Sequence, residues 1–79
     1  MGQPGKIPRD TFSMRLRWLR HDLRMTTAAV AKACGVDQPT WSTWEHGVMP
    51  RNQAAVAKQI ADATGYGLMW LLYGDAAHP

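Results

Sequence analysis

Gln38, Pro39, Ser42 and Thr43 stand in the stretch QPTWSTW at spacings of one, three and four residues. If that stretch is helical, a step of about 100° per residue puts all four, with His46, on one face. The chemistry of that face is hydrogen bonding to flat heterocycle edges. The Gln38 amide donates and accepts at once, the pattern that meets adenine N6 and N7. The hydroxyls of Ser42 and Thr43 can bond several bases, and the carbons of Pro39 or Thr43 suit a thymine methyl. A helix face turned only to water has a similar composition, so the elements that hold this face decide its meaning.

Those elements are legible from Thr26 to Gly47 (TTAAVAKACGVDQPTWSTWEHG). Thr26 is a good N-cap for TAAVAKAC, Gly35 can take the left-handed conformation that ends this helix, and Asp37 can cap the next. So short a connection makes the two helices cross steeply, and a steep two-helix unit in a small basic protein suggests DNA reading. Trp41 and Trp44 are expected in the core, with Val36 as an apolar plug ahead of them. Glu45 falls beside Trp41 on the helical wheel, partly buried.

Composition bounds the alternatives. Seventy-nine residues make one domain with a modest core; 46% are apolar and 19% charged. The formal charge of +3 and a pI near 9.5 favour a polyanionic partner. Residues 1–24 hold six basic side chains (Lys6, Arg9, Arg15, Arg17, Arg20, Arg24) against Asp10 and Asp22, or +4, and the rest of the chain carries −1. Cys34 is the only cysteine and reads as a small buried apolar residue; no Cys/His spacing suits zinc. His21, His46 and His78 form no catalytic constellation with Cys34 or the acids, and no glycine-rich phosphate loop exists, so neither an enzyme nor a cofactor or small-molecule substrate is expected. No apolar run approaches the roughly 18 residues of a membrane span, and MGQPGKIPRD lacks a signal-peptide core; a cytoplasmic protein is expected.

In chain order, residues 1–9 read as a flexible arm, residues 10–74 as the folded domain and residues 75–79 as a tail. Asp10 or Thr11 can cap a first helix running to about Arg24. Phe12, Leu16, Leu19 and Leu23 form its buried stripe. Arg17, Arg20 and Arg24 lie beside that stripe. Met14 and Trp18 point away from the leucines, so Trp18 either lies under the arm or meets a partner or second subunit. The second helix, about Thr27 to Cys34, buries Val30 and Cys34; the third runs from about Gln38 to His46. Asn52 can cap a fourth helix with Val56, Ile60 and Ala63 inward and Lys58 and Asp62 outward, ending at Gly65. The last segment, GLMWLLYG, is apolar almost all round, hence wedged into the core or shared with another subunit. Strand-like alternation and repeats are absent from the sequence.

From about Arg15 to Gly74 the chain resembles the lambda-repressor-like helix-turn-helix family of phage repressors, Cro proteins and small bacterial regulators. The marks are RLRWLR, Thr26, Val30-Ala31, Gly35-Val36, Trp41-Ser42, Trp44-Glu45, Gly47, Pro50 and the closing GYGLMWLLYG. The resemblance implies an all-α domain of five helices with helices two and three forming the helix-turn-helix. It also implies a transcriptional regulator of Cro type, with the third helix in the major groove of double-stranded DNA.

Gln38, Pro39, Ser42 and Thr43 would then contact bases. Thr40, His46, Arg51 and Asn52 sit where the family usually meets the phosphate backbone. Thr27 joins them beside the positive N-terminal end of the second helix, and Lys6 and Arg9 of the arm can add to them. The family pairs the acid at Glu45 with an arginine of the first helix, and Arg20 holds the matching position. If the chain acts whole, Tyr66, Leu68, Met69, Trp70 and Leu71 are the expected dimer surface, and a two-fold dimer would read a near-palindromic operator. The alternative is an antitoxin or co-regulator acting through a protein partner. The sequence departs from the family pattern in having Thr27 where glutamine is usual and tryptophans at two aliphatic positions of the third helix. That helix also has no Arg or Lys.

Overall fold

The computed structural model describes residues 11–74; the expected arm over 1–9, the alternative cap Asp10 and the tail over 75–79 lie outside that range. Five helices follow one another: α1 (Phe12–Asp22), α2 (Thr27–Cys34), α3 (Gln38–Glu45), α4 (Gln53–Thr64) and α5 (Leu68–Tyr73), with no strand among the described residues. The expected all-α, five-helix fold is the one found.

Three helices start on side-chain caps. The Met14 N–H donates to the Thr11 hydroxyl at 3.2 Å, the Ala29 N–H to Thr26 at 3.0 Å and the Ala55 N–H to Asn52 Oδ1 at 3.3 Å. Each satisfies a helix-end donor that water would otherwise have to meet, typically worth about 1 kcal/mol. Asp37 corrects the sequence reading. It occupies the N-cap position of α3 but makes no cap hydrogen bond with its side chain. A cap accepts from the second or third N–H of a helix; here the second residue, Pro39, has none, and the N–H of the third, Thr40, is not met by the Asp37 side chain.

Packing α1 against α3 and α5, α2 against α3 and α4, and α4 against α5 encloses one core. Leu16, Leu19, Val30, Trp41, Ile60 and Leu71 are its largest fully buried side chains. Two inward residues fall elsewhere than expected. α1 ends at Asp22 rather than near Arg24, because Arg24 takes φ +57. Leu23, the C-cap, keeps a helical backbone and donates to the Leu19 carbonyl at 2.9 Å, but it stands at the helix end and is 37% exposed. In α4 the inward face centres on Ala57 and Ile60, and Ala63, roughly a third of a turn from Ala57, is exposed.

The short α5 is closed by a side chain from far away in the sequence. Arg15 is buried on α1; its Nε donates to the Leu71 carbonyl at 2.9 Å and its Nη2 to the Leu72 carbonyl at 3.1 Å. Carbonyls at a helix C-terminus lack intrahelical partners, so a forked cation suits them. No helix among the described residues is long and apolar enough to cross a membrane.

Candidate nucleic-acid interface

α3 is held from behind and open in front. Trp41 and Trp44 are buried with ring centroids 6.1 Å apart, and Ser13 on α1 donates to the Trp44 carbonyl. Glu45, only 5% exposed, receives a forked contact from Arg20: Nε to Oε2 at 2.6 Å and Nη2 to Oε1 at 3.0 Å. The Trp41 indole N–H also donates to Glu45 Oε2, and Arg20 Nη1 reaches the Met25 carbonyl at 3.3 Å. One guanidinium thus ties α1 to α3 and to the loop before α2. Burial pushes the Glu45 carboxyl up. The hydrogen bonds from Arg20 and Trp41, with the charges of Arg20 and Arg17, outweigh it and hold the group below its ordinary value. The carboxylate in turn raises the Arg20 guanidinium.

The turn between α2 and α3 sets where α3 begins. Gly35 sits at φ +74, with its N–H on the Lys32 carbonyl at 3.1 Å and the Val36 N–H on Ala31 at 2.9 Å. This double-bonded left-handed turn reverses the chain in a few residues. The Gln59 amide braces it from α4 by donating to the Cys34 carbonyl.

On the outer side Gln38, Pro39 and Thr43 are exposed and Ser42 is half-buried. Gln38 Nε2 donates to the Thr27 hydroxyl at 3.0 Å, joining the first residues of α3 and α2. That bond consumes one amide hydrogen and leaves Oε1 and the second hydrogen, an adjacent acceptor and donor. The Thr43 hydroxyl donates to the Thr40 carbonyl at 2.7 Å, so toward a ligand it offers a lone pair and a methyl group. His46 is exposed just past α3, its Nδ1–H donating to the Ser42 carbonyl at 2.7 Å. A neutral ring held this way presents Nε2 as an acceptor. Thr40, Arg51 and Asn52 are exposed and Thr27 is half-buried; Asn52 spends its Oδ1 on the α4 cap.

The expected dimer surface needs one correction. Leu71 has no exposed area and belongs to the core, where α5 packs on α1 and α4. Leu68 and Met69 are exposed; Tyr66 and Trp70 are half-buried. Trp18, 58% exposed, meets Trp70 and Tyr66 edge-on with centroids 5.6 and 6.1 Å away. The Tyr66 hydroxyl donates to Asp22. No group of three or more potential metal ligands comes together among the described residues.

The model of one protein family, described as a helix-turn-helix domain, matches residues 11–68. The chain belongs to that helix-turn-helix family. Membership agrees with the lambda-repressor-like resemblance carried by the sequence and places the domain among DNA-binding regulators. No curated protein and no solved structure gives a significant match. Within this helix-turn-helix domain, α2 and α3 are the named pair, and the Gly35 turn is the joint between them.

Arg15 is the residue that sequence reasoning left without a role. Its signal was present, since Arg15 stands three residues after Phe12 and four before Leu19, inside the apolar stripe. A cation in such a stripe must find acceptors in the interior.

Proposed function

We propose that this helix-turn-helix domain is a sequence-specific regulator that lays α3 in the major groove of an operator. The observation that carries this reading is the division of α3 into two sides. Trp41, Trp44 and Glu45 are buried behind, while Gln38, Pro39 and Thr43 are exposed in front with the Gln38 amide held by Thr27. A fixed amide with one donor and one acceptor free matches adenine. Ser42 and Thr43 add a base contact and a thymine-methyl contact. Thr27, Thr40, His46, Arg51 and Asn52 flank this face and supply backbone contacts, which set register without reading sequence.

The regulator acts as a repressor of the Cro type: bound helices occupy DNA that polymerase or a competing regulator needs. Tyr66, Leu68, Met69 and Trp70 form the surface for a second copy. A two-fold dimer reads a near-palindrome with half-site centres about 34 Å apart. Selecting bound sites from a random DNA pool tests the reading. The expected result is a near-palindrome with adenine under Gln38, and a Gln38→Ala, Thr43→Ala double variant that stays folded but loses the preference. A folded double variant with unchanged site preference refutes the assignment of α3.

A second reading, an antitoxin or co-regulator, is favoured by one observation: the exposure of Trp18 beside Tyr66 and Trp70, together with exposed Met69. Sedimentation of the wild type and of Met69→Asp separates the two. A concentration-dependent dimer that the substitution dissociates supports self-association, and a monomer at all concentrations leaves the patch to a different protein.

A further inference from the structure

Five described residues have positive φ: Gly35, Gly47, Gly65, Gly74 and Arg24. Arg24 stands at φ +57 in the same kind of turn that Gly35 makes. Its N–H bonds the His21 carbonyl at 3.0 Å, and the Met25 N–H bonds Arg20 at 3.1 Å. Glycine is the residue that takes this conformation without steric cost, and arginine pays for its Cβ there. The α1–α2 turn therefore keeps an arginine where its backbone favours glycine. Backbone strain of this kind points to a use for the side chain.

Position indicates the use. Arg24 is exposed and precedes Met25, whose carbonyl is held by the same Arg20 that grips Glu45 of α3. Three residues further on, Thr27 holds Gln38. The chain on either side of Arg24 is thus tied to the back and to the leading end of α3. Charge indicates the ligand. α3 carries no Lys or Arg, and among the described residues only Arg51 of the proposed backbone contacts is a permanent cation. It lies beyond the other end of α3, just ahead of α4. Duplex DNA carries phosphates on both sides of the groove that α3 would enter, and affinity depends on cations meeting them.

We propose that Arg24 is a phosphate-contacting residue that anchors the α2 side of the interface, opposite Arg51. The proposal rests on the DNA-binding reading and adds a contact to it. The same left-handed backbone makes Arg24→Gly a clean probe, because glycine fits the turn better than arginine does.

The experiment measures binding of wild type, Arg24→Gly and Arg24→Lys to a selected site and to random duplex across a salt series, with thermal melts alongside. Arg24→Gly is expected to melt no lower than wild type. It should bind both duplexes several-fold more weakly by a similar factor, and its salt slope should be shallower by about one. Arg24→Lys should recover most of the slope. Unchanged affinity and slope in Arg24→Gly, with the wild type binding normally, overturns the Arg24 contact and leaves the DNA-binding reading intact. A loss confined to the selected site overturns it as well, because a phosphate contact is blind to sequence. Wild-type protein that retains no duplex at low salt overturns both readings together.

Discussion

The Gln38 amide rests on the Thr27 hydroxyl at 3.0 Å, so the residue proposed to read a base is oriented by a residue of the neighbouring helix. Fixing an amide before it meets a base removes rotamer freedom that binding would otherwise have to remove. Thr27→Val keeps the shape and deletes the hydroxyl. Because the bond is exposed, melting should shift little, by roughly 1 kcal/mol or less. Binding to the preferred site should weaken, and discrimination at the base under Gln38 should relax. A competition series over four duplexes differing at that base would measure this; equal discrimination in both proteins would remove the orienting role from Thr27.

Glu45 makes stability depend on acid. Its carboxyl titrates below the ordinary 4.5 in the folded protein, so the unfolded chain binds the proton more readily. The contribution is therefore fully present above about pH 4.5 and is lost as pH falls through the lower folded value. Glu45→Gln should destabilise the domain at pH 7 by about 3–5 kcal/mol, since Arg20 is left with a weakened partner in a mostly buried place. It should also flatten the acid limb of the melting profile. Melts from pH 7 down past the carboxylate range provide the check, and an acid limb unchanged by the substitution would mean that other carboxylates cause it.

Arg15→Met removes the forked donor from two carbonyls at the end of α5. Buried acceptors without partners cost about 1–3 kcal/mol. The loss should concentrate in α5, which has six residues and no side-chain cap at its start. Hydrogen exchange should show α5 amides losing protection before those of α2 and α3. Uniform loss across all helices would argue that Arg15 supports the whole core instead.

Gly35→Ala tests the joint of the helix-turn-helix. The residue sits at φ +74, and an added Cβ would lie 3.2 Å from the Gln59 amide nitrogen. A left-handed alanine costs about 1–2 kcal/mol, and Gln59 must also yield its hold on Cys34. A melting temperature several degrees lower is expected; an unchanged one would show that the turn relaxes to another conformation.

Much of the architecture could be read from the sequence because short-range rules governed it. Thr26, Gly35 and Asn52 mark helix ends through local backbone chemistry, and Trp41 and Trp44 share a face whatever surrounds them. The errors arose where distant contacts or one unusual residue intervened. Leu23 continues the stripe of α1, but the helix stops at Arg24 and leaves Leu23 exposed at its end. Asp37 is a capping residue by type, but its side chain accepts no bond from α3. Leu71 looked like surface because α5 is apolar on most sides, and which side faces inward depends on α1, some fifty positions earlier. The partners of Arg15 were hidden for the same reason: its acceptors are backbone atoms, and backbone atoms have no signature in a sequence. The outward placement of Gln38, Pro39 and Thr43 followed from the tryptophans, whereas the Thr27 bond to Gln38 required knowing where α2 begins relative to α3.

The clasp between Arg15 and the end of α5 also bears on the order in which the domain assembles. α1 is translated first of the five helices, yet two carbonyls that its buried guanidinium meets belong to Leu71 and Leu72, in the last of them. Until those residues leave the ribosome, the core around Leu16 and Leu19 stays open on the α5 side. Completion of this domain therefore waits for α5, the helix that closes over α1.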